Sequence, residues 1–288
     1  AAARLAAHAA RAGLKSVIFV PHNVEPVKLI STSIYEPVLV AVKGSISRIN
    51  SLCNEIMSRM TWGFVNINLR PYYSEGAKTL SYEIAEQFDW EAPDHIVVPV
   101  ASGTMLTKMR KGFTELVVTE LLRSQHVKFH GVQASGCAPV ARAFAADSEL
   151  IQPVEPDTMA KSLAIANPAD GIYALRTIRE TGGTATGVPD AEIIDGIKLL
   201  ARTEGIFAEP AGGAAVAAAA RLAKEKTFRP NDTVVIVASG LGMKTPDVIQ
   251  DKIKKPKTIE PTLEALELFF SDITRAAFVP GAPEIIAQ

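Results

Sequence analysis

The chain is poor in the residues that build small, specialised scaffolds. Its 288 residues include two cysteines, Cys53 and Cys137, and no CxxC pair. That excludes a disulfide framework and a cysteine-ligated zinc site, and it points to a reducing, cytoplasmic setting. The five histidines (His8, His22, His95, His126 and His130) show no ligand spacing, so no metal is expected. Neither charge is in excess: 30 Lys+Arg face 31 Asp+Glu for a net charge of −1. There is therefore no basic footprint for nucleic acid or an anionic membrane surface. No apolar run approaches the length of a membrane span. The nucleophile elbow GxSxG is absent, as are the Walker Gly-Lys-Ser/Thr and the three spaced glycines of a dinucleotide fingerprint.

What remains is a core-rich chain, 48% hydrophobic and 21% charged, which suits one or two globular domains. Its most informative stretch is Asp94–Lys111, DHIVVPVASGTMLTKMRK. The β-branched run Ile96-Val97-Val98 with Val100 stops at the small residues Ala101-Ser102-Gly103-Thr104. Leu106, Met109 and Phe113 then follow at helical spacing. A buried strand, a tight turn and a helix start are predicted. A helix start displays unpaired N–H groups and the positive end of the dipole, so it favours an anion, phosphate above all. Ser102 and Thr104 add two hydroxyls where a phosphate would sit, although such a turn can also use Gly and Ser for geometry alone. The pattern echoes downstream: Val97–Gly103 is VVPVASG and Val234–Gly240 is VVIVASG. Either buried strands resemble one another by composition, or two parallel strands deliver their serines to one pocket at the carboxyl edge of a sheet. Glu209–Gly213 is expected beside them.

In chain order, helix Ala2–Ala12, strand Val17–Val20, a short helix around Glu25–Tyr35, strand Val38–Val42, helix Ser45–Met60 and strand Phe64–Asn66 predict a small parallel sheet with helices on its faces. Leu69–Glu75 reads as a connector. Strands at Ile96, Phe129–Gln133, Ala185–Val188, Ile206–Ala208 and Val234–Val237 alternate with helices Gly76–Phe88, Met105–Arg123, Ala138–Ala145, Gly171–Glu180, Ala191–Glu204 and Ala214–Lys224. Asn167–Gly171 is a loop by composition. The fold class is α/β, with two domains of open parallel or mixed sheets flanked by helices. The division is 1–68, a small domain; 69–255, a large domain; and 256–288, a linker and tail. The tail helix, Leu263–Ile273, is suited to packing on the core or on a partner subunit, as in a homodimer. The opening AAARLAAHAARAGL enters a core strand directly and has the look of the middle of a domain, so the chain is expected to be a fragment.

Seven pieces in order resemble the threonine synthases, pyridoxal-phosphate (PLP) enzymes of fold type II, the tryptophan-synthase-β-like group. They are HAARAGLKSVIFVP (8–21), NLRPYYSEGAKTL (68–80), VVPVASGTMLTKMRKGF (97–113), GVQASGCAPVARAF (131–144), KSLAIANPADGIYAL (161–175), EGIFAEPAGGAA (204–215) and VASGLGMK (237–244). The likeness covers about residues 1–250. It implies that Ala101, Ser102, Gly103, Thr104 and Met105 cradle the cofactor phosphate and that Ser239 hydrogen-bonds the pyridine nitrogen. It implies conversion of O-phospho-L-homoserine and water to L-threonine and phosphate. Arg70, with Asn68 beside it, is the candidate to receive the substrate phosphate, since a guanidinium fork matches phosphate geometry; a surface arginine is the alternative. Lys78 is expected to be solvated.

The chain also departs from the family. The Schiff-base lysine is expected upstream of Ala1, in a Ser/Thr-x-Lys-Asp-Arg context that no lysine here shares, so no catalytic residue is assigned. Many members have Gly and Asn where this chain has Ala101 and Met105. The rival readings are a cysteate-synthase-like enzyme of the same fold type and a non-catalytic PLP-fold binding protein.

Overall fold

The computed structural model describes residues 2–44, 46–66, 71–123 and 126–277. They fall into two compact units, residues 1–250 and 251–288.

The first unit opens with α1 (Ala2–Arg11), β1 (Val17–Pro21), α2 (Pro26–Ser33), β2 (Val38–Val42) and α3 (Ile46–Arg59). β1 and β2 pair in parallel, with Val17 opposite Val38. Ile18 and Val20 point inward, and α1 turns the small side chains Ala6 and Ala9 to the interior. A third strand at Phe64–Asn66 is expected from the sequence, but residues 60–66 have no regular structure. Its only β-branched residue, Val65, is exposed, and the Asn66 amide donates to Asn50 Oδ1 at 3.0 Å. A short run without a buried face gains too little to hold a ladder.

The larger sheet follows, with its helices: α4 (Pro71–Gly76), α5 (Thr79–Gln87), β3 (His95–Pro99), α6 (Thr104–Val118), β4 (Lys128–Ala134), α7 (Pro139–Ala145), α8 (Gly171–Glu180), β5 (Ala185–Val188), α9 (Asp190–Glu204), α10 (Pro210–Lys224), β6 (Val234–Ile236) and α11 (Asp247–Gln250). Its order is β5-β4-β3-β6, all parallel. The expected strand Ile206–Ala208 is a single antiparallel bridge, Ala208 to Leu241. Both faces of the central strand are covered, which is why its sequence is a continuous apolar run rather than an alternation. Ile96, Val98 and Val100 pack with Leu106, Met109, Phe113 and Ile178, while Val97 faces Ile193, Ile197, Ala211 and Ala214. α10 lies so close to α9 that a Cβ on Gly196 would come within 2.1 Å of the Gly213 carbonyl oxygen. That approach explains why α10 is built from alanine and glycine.

One polar chain crosses the buried sheet at the amino ends of its strands. Asp232 Oδ2 lies 2.9 Å from His95 Nε2, His95 Nδ1 lies 2.9 Å from His130 Nε2, and His130 Nδ1 lies 2.9 Å from Thr184 Oγ1. Phe228 packs edge-on against both rings. Burial, with His95 and Lys128 nearby, pushes His130 down to about 4.

The second unit contains an extended basic segment and α12 (Leu263–Ala277), whose start is tied by the Ala265 N–H donating to Thr262 Oγ1 at 3.2 Å. Among the described residues, no helix is long and apolar enough to cross a membrane.

Candidate functional site

The carboxyl end of β3 runs into α6 through Ala101-Ser102-Gly103. The last sheet bond is Val100 N–H to the Val132 carbonyl at 2.7 Å. Gly103 then takes φ +94° as the N-cap of α6, and no side chain caps the helix. The first N–H groups of α6 have no intrahelical acceptors, and the helix dipole adds positive potential at this end. The turn needs glycine twice over. Its φ lies in the left-handed region, and a Cβ would stand 2.6 Å from the Asp170 carbonyl oxygen.

Asp170 is fastened to this turn from a loop far along the chain. Its N–H donates to the Ser102 carbonyl at 2.8 Å, and its Oδ2 accepts the Thr104 hydroxyl at 2.5 Å. Ser102 Oγ and Thr104 Oγ1 are 3.0 Å apart. Thr104 has one hydroxyl proton and directs it to the carboxylate, so Ser102 is the donor in the remaining contact. The two hydroxyls expected to face a phosphate are thus bonded to each other and to Asp170, which leaves the backbone N–H groups as the turn's remaining donors.

The echo in the sequence is an adjacency in space. β3 and β6 are neighbours, with Val97 opposite Ile236. Carried forward, that register puts Ser239 level with Val100 and Ser102 two residues further out, a stagger of roughly 6–7 Å at ~3.3 Å per residue. Ser239 is exposed and makes no side-chain hydrogen bond among the described residues. The third loop lies where it is expected. Glu209 N–H donates to the Gly240 carbonyl at 2.9 Å, and Gly242 N–H donates to the Phe207 carbonyl at 2.9 Å. The Glu209 carboxyl group lies against Gly240, 2.1–2.5 Å from where a Cβ would be.

β4 ends in the same tripeptide, Ala134-Ser135-Gly136, which pairwise comparison of the two Val-Val strands misses because β4 is KFHGVQA. Pro99 lies opposite Val132, so Ser135 is level with Ser102. Gln133, in the same strand, is fully committed. Its Oε1 accepts the N–H groups of Val140 and Ala141 at 2.9 and 3.0 Å, fixing the start of α7. Asp170 also escapes a sequence reading. Its only local signal is an acidic residue before a helix at Gly171, which ordinarily means a cap; here no side-chain cap forms.

Ala101, Ser102, Gly103, Thr104 and Met105 therefore form one turn, with Ser239 on the neighbouring strand end. Asn68 and Arg70 lie outside the described residues. Lys78 is not solvated as expected: its Nζ lies 2.8 Å from both Glu75 and Glu115. Lys108 and Lys111 reach Glu75 at 2.5 and 2.8 Å. Hydrogen bonds from Lys108, then Lys111 and Lys78, hold the Glu75 carboxyl well below the usual carboxylate range. Lys244 is exposed. Among the described residues, no group of three His, Cys, Asp or Glu side chains is arranged to hold a metal.

Residues 1–240 match the family of pyridoxal-phosphate dependent enzymes. A threonine synthase of Methanocaldococcus jannaschii is 32% identical over 273 residues, covering 94% of this chain and 67% of the relative. One of Methanosarcina acetivorans is 34% identical over 266 residues, covering 92% and 65%. The chain spans about two thirds of the length of these curated relatives. Among solved structures, maize serine racemase aligns with a TM-score of 0.68 at 20% identity, over 87% of this chain and 73% of that one. Cysteine synthase of Entamoeba histolytica aligns with a TM-score of 0.69 at 17% identity, over 89% and 70%. At that identity the two structures establish the shared fold.

Proposed function

The chain belongs to the pyridoxal-phosphate dependent enzymes, and from that membership we propose that it carries the cofactor-phosphate and substrate sites of a threonine synthase. The reaction is conversion of O-phospho-L-homoserine and water to L-threonine and phosphate. The observation that carries the reading is the uncapped start of α6 behind Gly103, with the unpaired Ser239 hydroxyl on the adjacent strand end. These residues fit the cofactor: a strand-to-helix turn offers N–H groups to its phosphate, and a neutral, exposed hydroxyl on the neighbouring strand end, two residues back in register, is offered to its ring nitrogen.

In this reading Ala101–Met105 anchor the phosphate through backbone N–H groups. Ser239 meets the pyridine nitrogen without a charge, so the ring is not held protonated as a carboxylate would hold it. The cofactor, when bound, supplies the electron sink for bond changes at the substrate's α- and β-carbons. Arg70 and Asn68 receive the substrate phosphate. The residue that links the cofactor is none of Lys108, Lys111 and Lys244, since the first two are engaged by Glu75 and the third lies beyond Gly242. We also propose the division 1–68, 69–255 and 256–288; the separation of the two parallel sheets supports its first boundary.

The test is an absorbance titration with PLP together with phosphate release from O-phospho-L-homoserine, using protein expressed from the whole coding sequence of its gene. Cofactor binding with threonine formation is expected. Binding without phosphate release would favour the cysteate-synthase-like or non-catalytic readings.

A further inference from the structure

Asp170 occupies the position where an aspartate ordinarily caps the next helix, yet its carboxylate makes no cap bond to α8. It turns instead to Thr104, the first residue of α6, which is 2% exposed and 66 residues away in the chain. Two hydrogen bonds join it to one turn, its N–H to the Ser102 carbonyl and its Oδ2 to the Thr104 hydroxyl, and its carbonyl oxygen stands where a Cβ on Gly103 would be only 2.6 Å away. Ala174, one helical turn on, packs against the same glycine, where a Cβ would come within 3.2 Å of it. A carboxylate accepts and cannot donate, so it sets the direction of every proton in the chain Ser102 → Thr104 → Asp170.

We propose that Asp170 is a positioning residue for the phosphate turn. It holds Ser102–Thr104 in the conformation that presents backbone N–H groups, and it turns both hydroxyl protons away from the bound anion. The inference rests on the phosphate reading of this turn and adds a consequence of charge to it. A carboxylate two hydrogen bonds from an anion opposes that anion, so Asp170 orders the turn while limiting its affinity. A cap or a packing residue would do only the first.

The two effects separate in two variants. D170N keeps an oxygen acceptor for Thr104 and removes the charge; D170A removes both. The first measurement is amide hydrogen exchange across residues 100–106 in protein without PLP. D170A should speed exchange at least about tenfold, and D170N should restore it to the parent rate. The second is titration with inorganic phosphate and with PLP. D170N should bind both about three- to tenfold more tightly than the parent. Unchanged exchange in D170A, or D170N weakening phosphate binding as much as D170A does, would overturn the proposal. If D170A loosens the turn and D170N restores it while the parent binds no phosphate, the positioning role stands and the phosphate reading falls.

Discussion

His95 and His130 share one proton across the sheet: Nδ1 of the first lies 2.9 Å from Nε2 of the second, and both rings are essentially excluded from solvent. Asp232 fixes which nitrogen donates. Its carboxylate accepts from His95 Nε2; in the tautomer of His95 that carries its one proton there, Nδ1 accepts from His130 Nε2, and His130 Nδ1 in turn accepts the Thr184 hydroxyl. Four residues at or near the amino ends of β5, β4, β3 and β6 are joined in strand order, with each ring nitrogen within hydrogen-bond distance of a partner. The chain lies at the amino ends of the strands, at the other end of the sheet from the Ala101–Thr104 turn. Its role is to let polar groups cross the core without leaving any of them unpaired.

That arrangement predicts acid sensitivity. In the fold, His130 is pushed from its ordinary 6.5 down to about 4 by burial, with His95 and Lys128 adding to it. Between those values the unfolded chain binds a proton that the folded chain refuses. Stability is therefore complete above about pH 6.5 and falls as pH drops towards 4. Each tenfold difference in proton affinity between the two states is worth about 1.4 kcal/mol, so the loss approaches roughly 3 kcal/mol. Asp232, held low by the Arg229 N–H and by His95, adds a further loss only at lower pH still. Urea unfolding at pH 7.5, 6, 5 and 4.5 measures it. A flat profile over that range would mean that His130 is not buried neutral.

Gly103→Ala should disturb the Ala101–Thr104 turn, proposed to hold the cofactor phosphate, more than its size suggests. A Cβ would have to adopt φ +94° and stand 2.6 Å from the Asp170 carbonyl oxygen. A left-handed alanine alone costs about 1–3 kcal/mol, and relieving the clash would unfasten Asp170. The expected result is lower unfolding stability together with at least about a tenfold loss of PLP affinity. Retention of both would show that the turn binds nothing through its backbone.

Ser239→Ala separates binding from folding. The side chain is exposed and has no partner among the described residues, so unfolding stability should not change. PLP affinity should fall by about 1–2 kcal/mol, the scale of one hydrogen bond to the ring nitrogen. Titration by cofactor absorbance reads it directly, and equal affinity in variant and parent would return Ser239 to a turn-forming role.

Borohydride reduction of residues 1–288 in the presence of PLP should leave Lys108 and Lys111 unmodified. Glu75 engages both, and Glu115 also approaches Lys111 at 3.6 Å. Ion-paired ammonium groups on a helix beyond the turn are poor nucleophiles for an aldehyde held at the turn. Peptide mapping by mass spectrometry decides the matter; a stoichiometric pyridoxyl group on either lysine would place the cofactor elsewhere than proposed.

Much of the site was legible because it is local. Strand, turn and helix at Ile96–Phe113 follow from side chains adjacent in the chain, and the same is true of Val234–Gly240. The small side chains of helix Ala214–Lys224 permit close packing, but what it packs on is not local; the structure places it against both α9 and the sheet. The third strand at Phe64–Asn66 did not form, because β propensity over three residues is weak without a buried face. Ser135 carries little sequence signal because its strand holds His130, Gly131 and Gln133, and the polar side chains among them find their partners only in the folded sheet.

The candidate site is thus written in neighbouring residues: a helix start, which favours an anion, at the end of a buried parallel strand, with the Ala-Ser-Gly of that strand end recurring at 134–136 and 238–240. Those features depend on periodicity, small residues and backbone sterics, all of them local. Folding settled the rest: which strand ends stand together, that Ser102 is level with Ser135 and two residues beyond Ser239, and that Asp170 accepts the hydrogen bond of the Thr104 hydroxyl. Those depend on strand order and register, which are set when helices cover both faces of the sheet and bring residues 66 or 137 positions apart into contact.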